Sequence, residues 1–135
     1  MKTVLVPVET HALVRSVLTT ALLLGRSLGS YIEGFALGPD IPDVYAIDVP
    51  VAVPPILDEA ARREMAAGAR QLFESFMQEH RVPERFGEPN GLSFGWQGGT
   101  LQGDSYVGDY GRAFDIIVVG RPSSRSDGPR LATLE

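Results

Sequence analysis

Apolar positions along this chain come in two rhythms. "KTVLVPV" (Lys2 to Val8) is apolar on both faces and rich in valine. That is how a strand buried on both sides of a sheet reads. Pro7 sits near its end, where a missing amide hydrogen is tolerated. "THALVRSVLTTALLLGRSLG" then places Val14, Val17, Leu18, Ala21, Leu22 and Leu28 at helical spacing, with Thr10 to cap the start and Gly29 to end it. "SYIEGFAL" alternates Tyr31, Glu33 and Phe35 against Ile32, Gly34 and Ala36, which predicts a second strand. The strongest helix signal is "ILDEAARREMAAGARQLFESFMQEH". Leu57, Ala61, Met65, Leu72, Phe73, Phe76 and Met77 form its apolar stripe, and Glu59 with Arg63 makes an i,i+4 pair. "LSFGW" predicts a third strand, with Leu92, Phe94 and Trp96 on one face. A weak helix follows from Leu101 to Ala113, where Gly103, Gly108 and Gly111 each cost about 1 kcal/mol relative to Ala. "FDIIVVG" is the fourth strand, again apolar on both faces.

The order β-α-β-α-β-α-β, followed by the start of a helix, predicts a parallel sheet with right-handed crossovers and helices on both faces. All 135 residues read as one domain without internal repeats. Pro39 to Pro55 interrupts the rhythm. Its five prolines, at 39, 42, 50, 54 and 55, exclude regular helix or ladder and predict a long loop beside the mouth of any site.

In a doubly wound sheet, ligands bind beyond the carboxyl ends of the strands, where strand order reverses. Strands one and four, apolar on both faces, are expected at the centre of the sheet. If they are neighbours, two loops meet there: "ETH" (Glu9, Thr10, His11) and "GRPSSRSDG" (Gly120 to Gly128). The candidate nucleotide or anion crevice therefore comprises Val8, Glu9, Thr10, Gly120, Arg121, Ser123 and Arg125. Backbone amides at the start of a following helix would add anion affinity. The bland alternative is a solvated polar loop.

Composition narrows the chemistry. Apolar residues make up 44% and charged residues 21%, as in folded water-exposed domains. The net charge of −5 argues against nucleic acid and anionic lipid as partners. The absence of cysteine removes disulfides and thiolate chemistry, and His11 and His80 lack ligand-spaced partners, so no metal is expected. "ALVRSVLTTALLLG" contains Arg15 and is too short to span a bilayer. The expected location is the cytoplasm.

Known sites on this architecture do not fit. Phospho-receivers need paired acids after strand one, and only Glu9 is there. Flavodoxins need a hydroxyl- and glycine-rich loop there. Neither GxxxxGK[ST] nor GxGxxG occurs, and no serine sits in a nucleophile elbow. A hydrolase pairing Ser124 or Ser126 with His11 would rest on loop proximity alone.

The opening "KTVLVPVETHALVRSVLTTALLLGRSLGSYIEGFAL" resembles that of a universal stress protein domain, with its "ILVPVDGS"-type strand end, Ala/Leu helix and second strand. "FDIIVVGRP" resembles the family's fourth strand, "DLIVMGSRG". The likeness spans the chain in order of elements. It implies a flavodoxin-like, adenine nucleotide alpha hydrolase-like α/β sandwich with strand order 3-2-1-4, frequent homodimers, and in one subgroup ATP between the loops after strands one and four. The family's fifth strand has no counterpart here. That predicts a tandem partner domain or a second chain along strand four.

The resemblance also shows where this sequence departs. Glu9 stands for the aspartate and Thr10 for the usual glycine. In the phosphate loop G-x-x-G-x9-G-[ST], Gly120 matches, but Ser123, Thr133 and Leu134 replace the second glycine, the third glycine and the final hydroxyl. Glycines in such loops let phosphate reach backbone amides with no Cβ in the way. The leading expectation is therefore a non-catalytic stress-response module, acting through dimer or partner contacts and requiring no cofactor. The alternative is an ATP- or AMP-binding regulatory domain with slow hydrolysis, with Arg121 or Arg125 compensating for the lost glycines.

Overall fold

The computed structural model describes residues 3–38, 58–87 and 91–121. The Pro39 to Pro55 stretch and the loop residues Ser123, Arg125, Thr133 and Leu134 lie outside them. Seven elements follow in order: β1 (Thr3–Val8), α1 (Val14–Leu28), β2 (Tyr31–Leu37), α2 (Glu59–Glu79), β3 (Ser93–Gln102), α3 (Asp104–Gly111) and β4 (Ile116–Ile117). All strand pairs are parallel and the sheet order is β3-β2-β1-β4. The architecture is α/β and consistent with a flavodoxin-like fold.

The two helices that carry the chain from β1 to β2 and from β2 to β3 share one face. There Val4, Val6, Val8, Ile32 and Ala36 meet Leu18, Ala21, Phe73 and Met77. Reaching the far side of β1 then requires a reversal, and the right-handed rule puts α3 on the opposite face. Leu5, Phe35, Leu37 and Val107 form that second, smaller core, with Tyr106, Tyr110 and Phe114 packed against it. Strand order therefore reverses between β1 and β4, where the sequence placed it.

Several local expectations change. β1 and β2, not β1 and β4, are buried along their whole lengths save Thr3. β4 pairs over two residues, Val4 with Ile116 and Leu5 with Ile117, and is an edge among the described strands. Its side chains follow that position, with Ile116 half-buried and Ile117 37% exposed. β3 continues past Trp96 to Gln102, so Leu101 belongs to the strand and not to the helix. Gly98 takes a positive φ of 71°, and pairing resumes at Leu37 with Gln102 after a register shift. The positive φ of Gly98 permits a bulge there.

Helix ends show the same mix. Gly29, at φ 59° and ψ 45°, closes α1 in the left-handed conformation that favours glycine. Thr10 is not the cap of α1. The cap is Leu13, and the His11 ring Nδ1 accepts the Leu13 amide hydrogen at 3.0 Å instead. Asp58 caps α2 by accepting from the Ala61 amide at 2.7 Å. The buried stripe of α2 is Ala66, Ala69, Phe73, Phe76 and Met77, whereas Met65 is exposed. The Glu59–Arg63 pair forms on the outer surface.

Candidate functional site

The residues expected to form a crevice lie where two parallel neighbours, β1 and β4, end. The Val118 amide donates to the Leu5 carbonyl at 2.9 Å, which extends β4 beside β1 by one residue. Counting on from the Leu5–Ile117 pair, Val8 and Gly120 fall at matching positions. At the opposite end of this strand pair, Asp115 Oδ2 accepts from both the amide and the hydroxyl of Thr3, each at 3.0 Å. The Asp115 amide donates back to Thr3 Oγ1 at 3.2 Å. This reciprocal clamp fixes the register that sets the ends of β1 and β4 side by side.

Val8 is buried, Glu9 half-buried and Thr10 exposed at the end of β1. Gly120 is half-buried and Arg121 exposed at the end of β4. These five residues share one end of the sheet. Ser123 and Arg125, the remaining candidates, lie outside the described residues. His11 is committed elsewhere. Its Nδ1 accepts the Leu13 amide hydrogen at 3.0 Å.

No protein-family model, curated protein or solved structure matches the chain.

A second cluster lies on the α3 face of the sheet, and the candidate list from the sequence did not include it. Glu33 stands in the middle of β2 and is only 8% exposed. The Tyr31 hydroxyl donates to Oε2 at 2.6 Å, and the Tyr110 hydroxyl from α3 donates to Oε1. Burial, and then hydrogen bonding to the Glu33 carboxylate, push both tyrosine hydroxyls well above their ordinary value of 10.0. Arg85 lies over the Tyr31 ring at 4.6 Å from its centroid, and its Nε donates to the Gly87 carbonyl at 3.0 Å. The loop that carries Arg85 is itself held by a parallel bridge between Glu84 and Phe94 on the outer edge of β3. An open cavity of about 340 Å³ adjoins the cluster. A signal was present in "YIEGFAL": an acid between two aromatics on one strand face must find donors when that face is buried.

Among the described residues, no His, Cys, Asp and Glu side chains group as a metal site would need. No helix of the described residues is long and apolar enough to cross a membrane.

Proposed function

We propose that this chain is a universal stress protein-like domain that works as a non-catalytic stress-response module through contacts with a second copy or a tandem partner domain. The observation that carries this reading is the all-parallel sheet in the order β3-β2-β1-β4, with the "VPVET" and "VVGR" loops at its reversal point. The phosphate loop of the resembling family is degenerate in this sequence. Ser123 and Thr133 stand at positions where that family's loop has glycine, the residue that leaves backbone amides open to phosphate. The two loops then serve as a polar rim and not as a nucleotide cradle.

One feature favours the alternative of an ATP- or AMP-binding regulatory domain with slow hydrolysis. Gly120, the first loop glycine, follows β4 directly beside β1, and Glu9 stands at the end of that neighbouring strand. The two readings separate in one experiment. Protein purified without added nucleotide is denatured and the filtrate is tested for adenine absorbance. The proposed function predicts none, and adenine near one equivalent per chain would favour the alternative.

A further inference from the structure

The geometry points to the cavity beside Glu33 and Arg85 as a binding site for a free α-amino acid, recognised through its ammonium and its carboxylate together. The site lies on the α3 face of the β2–β3 pair, away from the loops at the β1–β4 reversal. Tyr31, Glu33, Glu84, Arg85, Gly95 and Gln97 are among its lining residues.

Two charges of opposite sign face this space without neutralising each other. Among the described residues, neither Glu33 nor Arg85 has an opposite charge within ion-pair distance. Glu33 is nine-tenths buried, and each of its oxygens accepts one tyrosine hydroxyl. A carboxylate oxygen has room for a second hydrogen bond, so both can still accept. A carboxylate this buried is costly unless a cation completes its shell. Arg85 offers five N–H donors, of which Nε is used on the Gly87 carbonyl. Its guanidinium is held against the Tyr31 ring, so it is positioned before any ligand arrives.

The pair of charges selects the ligand. Arg85 lies over the ring of Tyr31, and Glu33 accepts from the hydroxyl of the same ring. An α-amino acid carries an ammonium for Glu33 and a carboxylate for Arg85, with one charge-assisted hydrogen bond at each end. The volume of about 340 Å³ lies at the small end of ligand cavities, and the lining is mostly polar. Glu84 adds a second negative charge at the rim, which favours the ammonium end. Gly95 keeps the floor open, because a Cβ there would stand 2.2 Å from the Tyr31 hydroxyl.

The test is a titration of the intact chain with L-alanine, L-lysine and L-glutamate, read by amide chemical shifts at Arg85, Gly95 and Gln97. At least one amino acid is expected to give saturable shifts there. Its methyl ester, which lacks the carboxylate charge, and its N-acetyl form, which lacks the ammonium, are each expected to bind at least about tenfold more weakly, the equivalent of one lost charged contact. Glu33→Gln and Arg85→Met are each expected to weaken binding by a similar factor. Arg85→Met lies on the surface and guards against misfolding of the Glu33 variant. No saturable shift for any of the three, an ester as tight as the parent amino acid, or binding that survives Arg85→Met unchanged would overturn the proposal.

Discussion

Tyr31 links the sheet, the Arg85 loop and the buried carboxylate, and Gly95 is the residue that lets it do so. An added Cβ at Gly95 would meet the Tyr31 hydroxyl at 2.2 Å and its ring carbons at 3.0 and 3.1 Å. The ring cannot yield without leaving Glu33, so Gly95→Ala is expected to cost about 1–3 kcal/mol, the range for a disrupted bond to a buried charge. Gly68 makes the contrast. It lies inside α2 with nothing within 4 Å of an added Cβ, and Gly68→Ala should gain about 0.5–1 kcal/mol from helix propensity. Urea unfolding of both variants beside the parent reads this directly, and equal shifts in midpoint would refute it. The two tyrosines also set a pH dependence. Each holds its proton above 10.0 in the folded chain, whereas the unfolded chain releases it there. Above that pH the unfolded state binds fewer protons, so stability falls as pH rises, while below it these groups add no slope. Tyr110→Phe should flatten the alkaline fall seen in unfolding midpoints, and an unchanged fall would remove Tyr110 from the account.

At the scale of elements, β4 is the weakest member of the sheet and depends on its clamp. Two paired residues and one further amide bond join it to β1. The Thr3–Asp115 exchange of hydrogen bonds stands immediately before them. Asp115→Ala is expected to cost about 1 kcal/mol and to speed hydrogen exchange at the Val118 amide while leaving β2 amides protected. Equal protection of Val118 in parent and variant would show that side-chain packing alone holds β4. This weakness is also where the sequence was least legible. Ile116 to Val119 read as a buried central strand because four apolar residues in a row do not reveal what lies beyond them. The same limit rotated the stripe of α2, where Met65 and Ala66 are equally apolar but only Ala66 turns inward. The helical period was legible where one face differs from the other, as in α1, and the strand order followed from handedness. The Glu33 cluster was hidden for another reason. Its partners Tyr110 and Arg85 are distant in sequence, and only packing unites them.

For the whole molecule, the proposed function makes surface contacts the working part. Ile117, 37% exposed on an edge strand, is the apolar side chain such a contact would cover. Sedimentation of the 135-residue chain should show reversible dimers, and Ile117→Lys should shift them to monomer. A parent chain that stays monomeric at high concentration would remove the second copy as the partner. The loops at the β1–β4 reversal depart from the phosphate loop of the resembling family, and calorimetric titration of the intact chain with ATP tests whether that departure excludes nucleotide. No saturable heat is expected in the low micromolar range, because Ser123 and Thr133 stand where the loop of the resembling family has glycine. A low-micromolar dissociation constant that Glu9→Ala or Arg121→Ala weakens would contradict it and make this domain a nucleotide sensor.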